Sequence, residues 1–260
     1  KIINGKSTSR CFVLAEITTT GIGLVTFGHP MSNSLPGHIL QSLAQTITEI
    51  TNDDRCKVLV LQSQGSKAFC AGASFDELVA INDEPSGLEF FSGFAKVINA
   101  MRTCGKLVIA RVQGKAVGGG VGLASAADYT FATEQASVKL SELAVGIGPF
   151  VVGPAVQRKM GLSAFSQLAI DASSFRSATW ALQNGLYASV HATIEEMDEA
   201  IMQLATILAA SSPEAMGDLK RIFWEGTENW DTLLVERAGV SGRLVLSDFT
   251  RNAIQQFKAK

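Results

Sequence analysis

Apolar positions along the first half of this chain fall into short runs separated by stretches with helical spacing. Residues 11–18 (CFVLAEIT) and 22–27 (IGLVTF) read as two strands, joined as a hairpin by the turn TTG. HPMSNSLP is then a loop that leads into a helix, with Pro36 at a first-turn position and apolar residues at Ile39, Leu40, Leu43, Ile47 and Ile50. VLVLQS at 58–63 and LVIARV at 107–112 are continuous apolar runs, the pattern of strands covered on both faces. Between them the spacing predicts a loop over 65–74, a helix opening at FDELVAI and a longer helix over 87–103. A glycine cluster follows, then a helix to about Ala127 and a third strand at YTFAT, 129–133.

The second half is mostly helical, with short helices expected at 153–161, 163–171 and 177–184 and longer ones at 195–210 and 213–223. The last is expected to run unbroken from about Trp230 to Lys258. Strand–helix alternation followed by helices alone indicates an α/β core, over 1–195, with a helical C-terminal region over 196–260.

Composition narrows the function classes. The 260 residues are 47% hydrophobic, enough for one large core, and the formal net charge is −2. There is no basic excess to neutralise phosphates, so nucleic acid is not an expected partner. No apolar run reaches membrane-spanning length and the first ten residues hold no hydrophobic signal region, so a cytoplasmic protein is expected. Cys11, Cys56, Cys70 and Cys104 form no CxxC pair, and His29, His38 and His191 are scattered, so reduced thiols and no metal site are expected.

The candidate chemistry lies in GKAVGGGVGLASAADY, 114–129, which places five glycines in the nine positions Gly114–Gly122. Glycines between a buried strand and a helix make a generic anion site, because the first helical N–H groups have no intrahelical partner. The dinucleotide pattern fails at its last glycine, where Leu123 stands, and no Gly-Lys-Ser/Thr exists for a nucleotide-phosphate loop. Close helix–strand packing with no ligand is the alternative. A second loop, KAFCAGAS, also follows a buried strand. Two such loops at neighbouring strand ends can each offer one N–H to the same oxygen, forming an oxyanion hole that stabilises an enolate.

These segments resemble a family. KAFCAGASFDEL is similar to the K-A-F-x-A-G-A-D-x-x-E-L segment of the crotonase superfamily, the enoyl-CoA hydratases and isomerases, and AVGGGVGLASAADYTFAT to its A-x-G-G-G-x-E-L-A-x-x-x-D segment. KLSELAVGIGPFVVGPAVQRKMG and SATWALQNGLYASV continue the likeness in order over most of residues 10–195. The resemblance implies a spiral of ββα units with a helical C-terminal region that trimerises, commonly as a dimer of trimers. It implies an acyl-CoA substrate, with coenzyme A arriving as part of it and no permanently bound cofactor. Its thioester oxygen would sit between the N–H groups of Ala73 and Gly119, in loops that also place Ala71, Gly72 and Gly118 against the substrate. Lys67 matches a lysine beside the coenzyme A path, with an exposed solvated lysine as the alternative. Phe150 would line the acyl pocket or the core. Lys258 and Lys260 would meet phosphates or form a tail.

Family hydratases use two glutamates to hold a water. Here the first position is Gly122, while the second survives as Glu142 in SELAVG. Moving a double bond from position 3 to position 2 needs one group that takes a proton from C2 and returns it at C4, so Glu142 is expected to act as both base and acid. Gly122 would leave space for a bulky acyl chain, or for a water that rescues hydration. Hydration, another enolate chemistry such as decarboxylation, and a non-catalytic acyl-CoA-binding subunit remain open. Ser74 replaces the family's aspartate, which leaves the support of the first loop to be explained.

Overall fold

The computed structural model describes residues 11–258; the N-terminal ten residues and Lys260, on which two of the expectations above fall, lie outside them. The chain opens with the hairpin of β1 (Phe12–Ile17) and β2 (Ile22–Gly28), followed by α1 (Gly37–Asn52). Three pairs of strands follow: β3 (Val58–Ser63) with β4 (Ala68–Cys70), β5 (Val108–Val112) with β6 (Lys115–Val117), and β7 (Tyr129–Thr133) with β8 (Val138–Lys139). Helices α2 (Phe75–Ala80) and α3 (Glu84–Thr103) come after the first pair, and α4 (Gly119–Ala126) after the second. A single-turn 3-10 helix (Glu142–Val145), α5 (Gly153–Ile170), α6 (Ala178–Gln183) and β9 (Ser189–His191) complete the core. Helices α7 (Ile194–Ala209), α8 (Pro213–Phe223), α9 (Trp230–Leu244) and α10 (Asp248–Lys258) end the chain.

The first strand of each pair joins a six-stranded sheet of order β1-β2-β3-β5-β7-β9, and the second joins a three-stranded parallel sheet of order β4-β6-β8. Each ββα unit therefore contributes one strand to each sheet before the next unit stacks on it, which is the spiral expected from the resemblance. The short strands β4, β6 and β8 were legible only as loop, because two or three residues carry no periodicity.

The continuous apolar runs have a direct cause. Val58 and Val60 face α7 and α8 across one side of the large sheet, in a layer with Ile22, Ile109, Phe131, Met197, Ile201 and Met216. Leu59 and Leu61 face the other side, where Leu43, Ile47, Val97, Ile98 and Met101 of α1 and α3 cover them. Both faces are dry, so strict alternation is lost.

One expectation is corrected. The last helix is not continuous: it stops at Leu244 and restarts at Asp248, where the Ser247 hydroxyl accepts a bond from the Thr250 N–H at 3.2 Å. The two short helices expected at 153–161 and 163–171 are present within α5, divided at Gly161, whose φ of 80° and ψ of 164° are not helical.

The C-terminal helices are anchored to the core by a buried ion pair. Asp128 accepts bonds from Lys220 Nζ (2.7 Å), Trp224 Nε1 (2.8 Å) and the Val108 N–H (2.8 Å). The side chains of Lys220 and Asp128 are 3% and 6% exposed. Removing one partner strands a charge out of water. Lys220→Met is therefore expected to cost about 3–5 kcal/mol, read as a lower urea midpoint, and an unchanged midpoint would show that the pair does not anchor α8.

Candidate active site

The two glycine-bearing turns meet at backbone distance. β4 and β6 run parallel and deliver their next residues, Gly72 and Gly118–Gly120, side by side. A Cβ on Gly72 would lie 3.2 Å from the Val117 carbonyl and 3.7 Å from the Gly119 nitrogen. Gly118 has φ 54° and ψ −115°, which an L side chain rarely adopts, and a Cβ on Gly120 would sit 2.3 Å from the Cys70 carbonyl. The consecutive glycines thus let α4 begin in contact with the backbone of β4.

The hydrogen bonds leave two donors free. Ala73 bridges Leu35 through its neighbours: the Leu35 N–H donates to the Gly72 carbonyl (2.8 Å) and the Ser74 N–H to the Leu35 carbonyl (3.3 Å). The Ala73 N–H faces away from that bridge. Gly119 is the first residue of α4, where no intrahelical acceptor exists for its N–H. Among the described residues neither N–H has an acceptor. Ser74, which stands in place of an aspartate, caps α2 by accepting from the Glu77 N–H, so the first loop keeps a polar support.

Both turns open onto a cavity of about 650 Å³. Ala71, Gly72, Ala73, Gly118, Gly119, Glu142 and Phe150 all line it. Two expected residues do not. Lys67 is exposed on its loop, away from the cavity wall. Gly122 is buried one turn inside α4, and its missing side chain is no open space: a Cβ there would lie 2.5 Å from Val152 Cγ1 and 2.9 Å from Val152 Cβ. Val152 itself lines the cavity. The isopropyl group stands where the first carboxylate would begin, so Gly122 serves packing and opens no room for a larger acyl chain.

Glu142 reaches the site from the 3-10 turn, which ends at Gly146 with φ 79° and is held by Phe249 and Thr250 of α10. Its Oε1 lies 3.0 Å from the place a Cβ would take on Gly118, directly over the entrance to α4. Its Oε2 is buried and has no hydrogen-bond partner. Burial disfavours the charged form and pushes this carboxyl up to about 7, only partly offset by a bond from its own backbone N–H. Glu142 is the only carboxylate on the cavity wall among the described residues.

The remaining wall was not legible in the sequence. Phe90, Phe91 and Phe94 project from α3, Val151 and Val152 from the segment before α5, and Ser241 from α9. Phe257 of α10 closes one side, with its ring 5.5 Å from that of Phe75. The spacing of Phe90, Phe91 and Phe94 marks a buried helix face without saying that part of it borders a cavity. Among the described residues no group of three or more His, Cys, Asp or Glu is placed to hold a metal ion, and no helix is long and apolar enough to cross a membrane.

Comparison with known proteins gives the class of this chain. Residues 18–256 match the family model described as enoyl-CoA hydratase/isomerase, and the chain belongs to that family. Similar relatives include the short-chain-enoyl-CoA hydratase of Clostridium acetobutylicum, 28% identical over 242 residues and covering 92% of both chains. The carnitinyl-CoA dehydratase of Salmonella enteritidis is 31% identical over 199 residues, covering 76% of this chain and 75% of that one. Among solved structures, an enoyl-CoA hydratase from Bacillus halodurans superposes with a TM-score of 0.86 at 19% identity, over 94% of this chain and 99% of that one. An enoyl-CoA hydratase from Mycobacterium avium does so with a TM-score of 0.82 at 25% identity, over 95% and 96%. The chain is thus an enzyme of the crotonase type.

The raised carboxyl has a consequence for stability. Folded Glu142 holds its proton more tightly than it does in the unfolded chain, so its ionisation opposes folding as pH rises from the ordinary carboxyl value of 4.5 to about 7. Glu142→Gln is expected to raise the thermal midpoint at about pH 8, by a free energy of up to about 3 kcal/mol, with most of the gain gone near pH 5. An equal effect at both pH values would show that the carboxyl is not desolvated.

Proposed function

We propose that this enzyme takes an acyl-CoA thioester and moves its double bond from position 3 to position 2, with Glu142 as the one acid–base group. The thioester oxygen sits between the Ala73 and Gly119 N–H groups. The Glu142 carboxylate removes a proton from C2, the electron pair moves into the thioester to give an enolate, and the two N–H groups carry the developing charge. Collapse of the enolate shifts the double bond to C2–C3, and C4 takes the proton back from Glu142. A carboxyl near 7 suits this work, since it must bind and release a proton at similar cost. The observation that carries the reading is the single carboxylate on the wall among the described residues, with Val152 packed against Gly122 where a second would be.

Hydration is the second reading, favoured by the names of relatives such as the Clostridium acetobutylicum hydratase. It needs a water held at C3 without the second carboxylate. Phe150 is assigned to the acyl wall. Lys67 is left to meet coenzyme A outside the cavity. Self-association as a trimer or a dimer of trimers belongs to the same reading and is measurable by light scattering.

The two chemistries separate in one assay. Incubation with 3-enoyl-CoA is expected to raise the absorbance of the conjugated thioester, and 2-enoyl-CoA is expected to stay unhydrated. Loss of signal from 2-enoyl-CoA with no gain from 3-enoyl-CoA would reverse the assignment. Glu142→Gln is expected to lower kcat by about 10²–10⁴-fold while coenzyme A thioesters still bind. The wild-type kcat/KM is expected to rise with pH through about 7, as the carboxylate form appears.

The packing of Val152 on Gly122 gives a further expectation. Gly122→Glu alone clashes and lowers stability without creating hydration. Gly122→Glu together with Val152→Gly frees the ground for the carboxylate and is expected to add hydratase turnover. Hydration gained by the single variant would show that Val152 is not the obstacle.

A further inference from the structure

Ser241 is a buried polar residue on an otherwise apolar stretch of the cavity wall. It lies on α9, where Gly242 crosses Gly87 of α3 so closely that a Cβ on Gly87 would be 2.8 Å from the Gly242 Cα. That crossing presses α9 against the start of α3 and brings Ser241 to the cavity beside Phe90, Phe91 and Phe94. Ser241 is 1% exposed. Buried serines elsewhere in these helices return their hydroxyls to the carbonyl one turn back: Ser92 donates to Leu88 at 2.6 Å and Ser125 to Val121 at 2.8 Å. Ser241 makes no such bond; its carbonyl accepts from the Val245 N–H, and among the described residues no hydrogen bond joins its hydroxyl to protein.

A buried hydroxyl without a partner is unfavourable unless something else in the cavity satisfies it. We propose that Ser241 is a specificity-determining residue: the acyl group taken by this cavity carries an uncharged oxygen, a hydroxyl or a carbonyl, that hydrogen-bonds to the Ser241 hydroxyl. The proposal rests on the acyl-CoA reading above and deepens it by naming the substrate class. The oxygen is uncharged because, among the described residues, the cavity wall carries a single cation, and it is engaged elsewhere. Lys139, the one cation on the wall among the described residues, stands over the Phe175 ring at 4.4 Å. A carboxylate beside Ser241 would be desolvated with no counter-charge.

Binding tests this without requiring turnover. Saturated acyl-CoAs of four to eight carbons, ending in a methyl or a hydroxymethyl group, are titrated into the full chain by calorimetry. At one chain length the hydroxyl-ended thioester is expected to bind the wild type at least as tightly as its methyl-ended counterpart. Ser241→Ala is expected to weaken that hydroxyl-ended ligand by about five- to thirty-fold, leaving methyl-ended binding within about twofold. Unliganded Ser241→Ala is expected to melt no lower than the wild type, because the hydroxyl it removes has no protein partner; a marked drop would overturn that premise. A substitution that shifts both series equally, or neither at any length, overturns the proposal and leaves the acyl-CoA reading intact. Tightest binding of a carboxyl-ended chain also overturns it. Failure of every acyl-CoA to bind overturns both readings together.

Discussion

The architecture turns on one close approach. Two chain segments leave neighbouring strands of the small sheet and come together with almost no side chains between them. The positive φ of Gly72 and Gly118, and the contact of Gly120 with the Cys70 carbonyl, are the local conditions for it. With larger residues α4 would stand off from β4, and Ala73 and Gly119 would no longer line one cavity. The large sheet, the helices on its two faces and the buried Asp128–Lys220 pair all hold these few backbone atoms in register. In the proposed mechanism the two donors would cost no reorganisation as charge develops, because they belong to main chain already fixed by folding.

Facing these turns across the cavity is the buried carboxyl of Glu142. Glu142 is carried on a short turn, not on a long element, and is steadied by α10 through the contact of Gly146 with Phe249 and Thr250. Burial raises its proton affinity, and the same desolvation destabilises the folded chain at neutral pH. The stability sacrificed at this carboxyl is of the size that individual buried groups contribute elsewhere in a protein. The core on both faces of the large sheet is extensive enough to absorb it.

Much of this was readable in the order of residues, and the reasons for the exceptions are physical. Long elements with clear periodicity, such as α1 and α7, and doubly buried strands, such as β3 and β5, announce themselves because burial repeats along them. Strands of two or three residues do not, and their stability comes from neighbours in the sheet. The break between α9 and α10 hides in a sequence whose apolar spacing continues across it. Glu142 and both glycine turns were legible through the family likeness. The cavity wall was not, because Val152, Phe94 and Ser241 come from three separate elements whose mutual placement no local pattern encodes. Gly122 shows the limit most clearly. A glycine where a carboxylate is expected reads as vacant space, yet a residue thirty positions later occupies it.

That pairing binds positions 122 and 152 together. Enlarging position 122 while Val152 remains produces a steric conflict, and trimming Val152 while Gly122 remains opens a void in a buried wall. Each change is harmful unless the other accompanies it. The two positions are therefore energetically coupled, so that the effect of a substitution at either depends on which side chain stands at the other.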